Sequence, residues 1–113
     1  MIPASFEYFS PASLQETIDL LSSREDVKIL AGGQSLVPLM KLRLSKPSCI
    51  VDLCCIPDLS HIREEKNHIV IGAMTTYSQI EESQLLRSRC PLLPQTATTI
   101  GDVQVRNQGT LGG

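Results

Sequence analysis

The sequence predicts an α+β protein in two parts: a small parallel βαβαβ unit over residues 1–56, then the beginning of an antiparallel-sheet unit over 57–113. Three observations predict it. Short apolar runs at 6–9, 27–30 and 49–53 alternate with segments of helical period, the rhythm of parallel strands joined by crossover helices. After Pro57-Asp58 that rhythm gives way to two short runs, 59–63 and 68–72, around the polar turn Glu64-Glu65-Lys66-Asn67, the pattern of a hairpin. With 113 residues the chain can bury a limited core, enough for one modest domain or two small subdomains.

Phe6-Glu7-Tyr8-Phe9 has the aromatic content of a strand or an extended lead-in. Ser10-Pro11 predicts a helix start, with Ser10 as N-cap and Pro11 at the first helical position. Leu14, Ile18 and Leu21 follow at i, i+4 and i+7 and define an inward face, with Glu16 and Asp19 opposite. That helix should fade in Ser22-Ser23-Arg24-Glu25-Asp26. Beyond the second strand, Ser35 caps a helix with Leu36, Leu39, Met40 and Leu44 turned inward, ending at Lys46-Pro47. Pro38 is tolerated there because it falls in the first turn, where its missing N–H forfeits no intrahelical bond.

In the second part, Thr76-Tyr77-Ser78-Gln79 has capping-box spacing and starts a short helix carrying Ile80. A further turn covers 84–87. Pro91 opens another helix with Leu92, Leu93, Thr96 and Ile100, which Gly101 stops. The stretch 103–113 has no helical period and reads as an ordered loop with a turn at Asn107-Gln108-Gly109.

Composition narrows function by exclusion. Ten basic against twelve acidic residues leave a net charge of −2, and aromatics are scarce, which argues against nucleic-acid and anionic-membrane surfaces. The N-terminus has no signal segment, and no apolar run approaches spanning length, so a cytoplasmic protein is expected. Cys49, Cys54, Cys55 and Cys90 form no C-x-x-C pattern and are read as small buried apolar residues, which makes an iron–sulfur or zinc site on this chain improbable. His61 and His68 flank the hairpin turn and are read as surface groups; Glu64-Glu65 and Glu81-Glu82 are read as solvated faces. Arg106 is read as holding either an anionic partner or its own loop, with structural anchoring favoured.

The stretch with chemistry to offer is Lys28-Ile29-Leu30-Ala31-Gly32-Gly33-Gln34-Ser35. A strand running into two glycines and a helix start can turn several backbone N–H groups outward together, and such a cradle holds a phosphate without a basic side chain. A second pair closes Thr110-Leu111-Gly112-Gly113, where another row of N–H groups is expected. The two corners are expected to meet around one pyrophosphate. Alone, each is equally the mark of an unliganded turn. Neither G-x-G-x-x-G nor G-x-x-x-x-G-K-[ST] occurs, so Rossmann dehydrogenases and P-loop hydrolases are poor matches.

Taken together, Ala31-Gly32-Gly33-Gln34-Ser35 and Val105-Arg106-Asn107-Gln108-Gly109-Thr110-Leu111-Gly112-Gly113 resemble the FAD-binding medium subunit of molybdenum hydroxylases, the family of carbon monoxide dehydrogenase and xanthine dehydrogenase flavoproteins. The resemblance covers essentially the whole chain, including Phe6-Glu7-Tyr8 and Val51-Asp52-Leu53. It implies the two-part FAD-binding fold of the vanillyl-alcohol-oxidase type, with FAD between the parts. By the same resemblance, Lys28, Ile29, Leu30, Ala31, Gly32, Gly33, Gln34 and Ser35, with Thr110, Leu111, Gly112 and Gly113, would wrap the FAD pyrophosphate and neighbouring groups. Gly101 would approach the cofactor through its backbone. Gln34 stands where some relatives have histidine.

The implied partners are a large subunit carrying the molybdenum cofactor and a small subunit carrying two iron–sulfur clusters, which would deliver electrons to FAD here for an external acceptor. Because the sequence closes inside a binding loop, it is expected to belong to a longer protein and to bind FAD weakly or not at all by itself. Two other readings remain open at this point: a single-chain FAD-dependent oxidase of related fold, and a non-catalytic nucleotide- or anion-binding module.

Overall fold

A computed structural model describes residues 2–113, which divide into two compact units, the first ending at Pro57 and the second Asp58–Gly113. In the first unit the elements run β1 (Glu7–Phe9), α1 (Leu14–Ser23), β2 (Val27–Leu30), α2 (Leu36–Lys41) and β3 (Cys49–Asp52). The three strands form one all-parallel sheet in the order β1-β3-β2. Central β3 explains itself: Cys49, Ile50 and Val51 are all buried, as a strand paired on both sides and covered on both faces must be. Register fixes the carboxyl ends of the strands, with Phe9 opposite Val51 and Leu30 opposite Asp52.

α1 begins later than the sequence predicts. Ser13 is the N-cap and accepts a hydrogen bond from the Glu16 N–H, while the Glu16 carboxylate reaches back to the Ala12 N–H. That reciprocal pair is the capping-box logic one residue displaced, and Ser10-Pro11-Ala12 cannot supply it because no Glu or Gln lies three residues after Ser10. The inward face differs too. Thr17 is buried, its hydroxyl donating to the Ser13 carbonyl, whereas Leu14, Ile18 and Leu21 are exposed. Helical period identifies an apolar stripe, but its partner is set by how the helix lies on the rest of the unit.

α2 is shorter than expected, and its stop has a clear cause. Arg43 takes φ +57, its N–H donates to the Met40 carbonyl, and the Leu44 N–H donates to Leu39. This is a Schellman closure with arginine where glycine is usual, which leaves no glycine in the sequence to mark the stop. Met40 faces inward as predicted; Leu39 and Leu44 lie beyond the covered face and are exposed. Pro38 does sit in the first turn.

The second unit runs β4 (Ile62–Glu65), β5 (His68–Ile71), α3 (Tyr77–Glu82), α4 (Gln84–Arg89), α5 (Leu92–Ala97) and α6 (Val103–Gln108). β4 and β5 form the expected antiparallel hairpin, with Glu65 opposite His68 across Lys66-Asn67, a tighter turn than the four-residue one predicted. Thr76 caps α3 with the full capping box, Gln79 returning the bond. Ile80, Leu86 and Ala97 form the core, with Ile62, Ile69, Ile71, Tyr77, Cys90 and Leu93 packed against it. α5 ends at Ala97, earlier than expected, with Thr98 as C-cap; the Thr99 and Ile100 N–H groups donate to Thr96 and Ala97 in tight turns, and Gly101 follows at φ +51.

The segment expected to be a loop contains α6. Asp102 is its N-cap, accepting from the Val105 N–H, and Asn107 and Gln108 are helical rather than part of a turn. No residue of α6 is buried, which explains why no apolar period announces it. Of the cysteines, Cys49 is buried and Cys90 half-buried, but Cys54 and Cys55 are exposed, so burial does not account for that pair.

Candidate functional site

β2 delivers Lys28, Ile29 and Leu30 to the carboxyl end of the parallel sheet, the edge at which open α/β sheets bind ligands. Lys28 and Ile29 are exposed, and Leu30 is half-buried. The Leu30 carbonyl accepts from the Leu53 N–H at 3.1 Å, tying the last rung of β2 to the end of β3. After that rung the chain stops making backbone bonds as a donor. Among the described residues, none of the N–H groups of Ala31, Gly32, Gly33, Gln34 or Ser35 donates to a protein acceptor. Gly33 takes φ +78, and a Cβ there would stand 3.2 Å from Val37 Cγ2 and 3.3 Å from Leu30 Cδ1. Glycine is needed at this corner for both reasons.

Ser35 occupies the cap position of α2 but makes no side-chain cap bond. Its expected role as a cap is therefore not realised. With only six residues, α2 adds little macrodipole, so the anion-binding capacity of this loop rests on its open amides. The sheet end beside it is pinned by Tyr8, whose hydroxyl donates to the Asp52 carboxylate, while the other Asp52 oxygen accepts from the Cys54 N–H at 3.0 Å. The Asp52 bond, then desolvation and the same negative charge, raise the Tyr8 pKa above that of a free tyrosine.

The second predicted corner behaves differently. Leu111 N–H donates to Thr75 at 3.0 Å, Gly112 N–H to Ala73 at 2.8 Å, and Gly113 N–H to Thr110 at 3.3 Å. Thr110 itself pairs with Thr76 in an antiparallel bridge. Three of the four amides expected in a second outward row, those of Leu111, Gly112 and Gly113, thus close the unit's own backbone. Gly112 is required for that closure, because a Cβ would lie 2.8 Å from Ala73 Cβ and 2.9 Å from its carbonyl oxygen. What this corner does offer is the Thr110 hydroxyl, buried and without a hydrogen-bond partner among the described residues.

Gly101 and Arg106 belong to one anchoring device. Arg106 donates to the Thr98, Ile100 and Gly101 carbonyls from one nitrogen and pairs with Glu81 at 3.2 Å through another. Its side chain is only 14% exposed. The guanidinium thus satisfies carbonyls in the connection between α5 and α6, an anchoring role of the kind favoured from the sequence. Sequence reasoning missed Thr75, fully buried, whose hydroxyl exchanges bonds with both the N–H and the carbonyl of His61. The adjacency Thr75-Thr76, a buried hydroxyl before a capping one, was the available signal.

Aligned on solved structures, the chain matches carbon monoxide dehydrogenase from Hydrogenophaga pseudoflava with a TM-score of 0.96 at 48% identity, covering 100% of this chain and 40% of that one. Quinoline 2-oxidoreductase from Pseudomonas putida 86 matches with a TM-score of 0.95 at 41% identity, again over 100% of this chain and 40% of that one. The parallel unit and the hairpin-and-helix unit are thus those of the FAD-binding fold of medium-chain flavoprotein subunits. Among curated relatives, the carbon monoxide dehydrogenase medium chain of H. pseudoflava is 48% identical over 114 residues, and the glyceraldehyde dehydrogenase medium chain of Sulfolobus acidocaldarius is 41% identical over 113. The chain spans 40% of the length of each. The family described as FAD binding domain in molybdopterin dehydrogenase matches residues 4–113, and the chain belongs to it. Its cofactor is FAD.

The residues present fit that cofactor. A pyrophosphate needs several hydrogen-bond donors, and the five unengaged amides of 31–35 are available as donors. The orphaned Thr110 hydroxyl is a further polar group awaiting a partner. No described helix is long and apolar enough to cross a membrane.

Proposed function

We propose that this chain is the FAD-holding portion of an electron-transfer subunit in a cytoplasmic, molybdenum-containing hydroxylase or dehydrogenase. The two units serve as FAD-binding subdomains. Lys28, Ile29, Leu30, Ala31, Gly32, Gly33, Gln34 and Ser35 hold the pyrophosphate side of the cofactor, chiefly through backbone N–H groups. Gly101, Thr110, Leu111, Gly112 and Gly113 contribute the remaining contacts of this chain, Thr110 through its hydroxyl. The observation that carries the reading is the run of unengaged amides at 31–35, set at the carboxyl end of a parallel strand with Gly33 at φ +78.

When bound, FAD supplies the redox chemistry, taking electrons from iron–sulfur clusters of a small partner subunit and passing them to an external acceptor. The chain's own work is positional. The loop fixes the cofactor's charged middle, while Tyr8 and Asp52 hold the neighbouring strand ends in register. Relatives named as medium chains support assembly with a larger, molybdenum-bearing chain and a smaller one.

Purifying the protein that carries this chain, at full native length, tests the reading. A bound flavin spectrum is expected, together with co-purifying molybdenum and iron–sulfur chains. A colourless protein indifferent to added FAD would overturn it. Bound flavin without any partner chain would instead favour a self-contained FAD oxidase.

A further inference from the structure

Outside the flavin loop, one side-chain cluster is left without a role: Cys54 and Cys55, both exposed, with their sulfurs 3.7 Å apart. The pair does not hang loose. Ser10 Oγ stands 3.2 Å from Cys55 Sγ and 3.6 Å from Cys54 Sγ, and the Cys54 N–H is held by Asp52, whose other oxygen takes the Tyr8 hydroxyl. Pairing of β1 with β3 brings Ser10 to this place, since Phe9 is opposite Val51. Two thiols are therefore presented to solvent side by side from a fixed platform.

We propose that Cys54 and Cys55 form a two-sulfur chelating site for trivalent, thiophilic arsenicals. Ligand number and geometry point to this class of ligand. Among the described residues no group of three His, Cys, Asp or Glu side chains could hold a metal ion, so a closed four-ligand zinc site is not built here. A monosubstituted arsenic(III) centre asks for only two sulfurs. A disulfide suits the pair poorly: neighbouring Cα atoms are about 3.8 Å apart across a trans peptide, below the usual disulfide range of about 4.4–6.8 Å.

The exchange balances without an oxidant. An organoarsenic(III) oxide, R–As=O, reacts with two thiols; two As–S bonds form, the As=O bond is lost, and both thiol protons leave with that oxygen as water. Arsenic stays trivalent throughout. The Ser10 contact lowers the Cys54 pKa, but Cys55 and Asp52 together outweigh it, leaving that thiol protonated to a higher pH than an ordinary cysteine. Attack on arsenic is by the thiolate, so adduct formation should quicken as pH rises toward that range.

Phenylarsine oxide is the probe, added in slight excess to the protein and followed by native mass spectrometry. One equivalent should be retained, with Cys54 and Cys55 alone protected from iodoacetamide on peptide mapping. Dithiothreitol should strip it; the same thiol concentration of 2-mercaptoethanol should not. Cys54→Ser and Cys55→Ser should each weaken retention at least about 100-fold, the loss expected when a chelate becomes a single attachment. Cys90→Ser should change nothing. Circular dichroism of each variant separates loss of the site from loss of fold, and the mapping on unaltered protein stands independently of both. An adduct mapped to Cys49 or Cys90, retention within threefold in either serine variant, or no adduct at all would overturn the proposal. None of these results depends on flavin, so the assignment of FAD stands or falls separately.

Discussion

At Gly32-Gly33 the chain leaves a strand with its amides unengaged; at Gly112-Gly113 it enters a corner whose amides are already spent on Ala73 and Thr110. The same dipeptide serves two purposes. In the first corner glycine permits a left-handed backbone at Gly33, φ +78, and thereby keeps a run of N–H groups open. In the second, Gly112 permits backbone to pack on backbone, where a Cβ would sit 2.8 Å from Ala73. A glycine pair therefore marks an unusual backbone path, and only the fate of its hydrogen bonds distinguishes a binding loop from a structural seam.

The strongest way to break this contrast is to attack what holds the second corner's unit together. Arg106→Ala removes an ion pair with Glu81 and leaves the Thr98, Ile100 and Gly101 carbonyls without their donor. A loss of about 2–3 kcal/mol in urea unfolding is expected for charge-assisted bonds in so covered a setting. Arg106→Lys should recover little, since one ammonium cannot serve all these acceptors in the same geometry. A variant as stable as the parent would mean that the corner is braced by something else.

The two glycines come next, and they should part company. Gly112→Ala must push Ala73 away and should cost about 1–3 kcal/mol of stability. Gly33→Ala should cost about 1–2 kcal/mol through its left-handed backbone. Flavin affinity separates them further. Measured at matched folded fraction, Gly33→Ala should lose about tenfold in FAD affinity because the amide row is re-aimed, and Gly112→Ala should lose less. If both lost affinity equally, the difference between an open and a closed corner would have no functional meaning.

How much of this was legible beforehand divides along the same line. Strand β2, buried strand β3, strand β5 and the Thr76 cap are written in local runs, turns and cap spacings, and each lies within a residue of its predicted place, whereas β4 starts three residues late. The misreadings differ in cause. Ser10 and Ser13 both look like caps, and the capping-box spacing Ser13-Leu14-Gln15-Glu16, present in the sequence, decides for Ser13. The end of α2 is closed by Arg43 in a glycine's conformation, and α6 has no buried face to impose a period. Likewise, the glycine corners were visible, but which amides remain free depends on Ala73 and Thr75, remote in sequence from Gly112.

A smaller effect with two opposite signs is expected at Thr110. Its buried hydroxyl has no partner among the described residues, and such a group costs about 1–3 kcal/mol relative to a paired one. Thr110→Val keeps the shape and removes the unmet hydrogen bond, so flavin-free protein should become more stable by about 1 kcal/mol. Flavin affinity should fall by a similar amount if the hydroxyl is the contact proposed for it. Stability and affinity moving in the same direction would remove Thr110 from the cofactor's neighbours.

The smallest effect belongs to the sheet end that carries the open loop, and alkaline pH reads it. Tyr8 gives its proton to a hydrogen bond with Asp52 in the folded protein, which raises its pKa above the ordinary tyrosine value; Cys54 is raised as well. Both groups are thus held protonated more firmly folded than unfolded. The stability they contribute is fully present below their unfolded pKa values and is lost as pH rises through the folded ones. Chemical denaturation from pH 7 to pH 11 should therefore show a decline in the midpoint of the first unit at the alkaline end. Tyr8→Phe should start lower at pH 7 and decline less, because phenylalanine has no proton to lose. A parallel decline in both proteins would mean that the Tyr8–Asp52 bond does not steady the strands from which the loop departs.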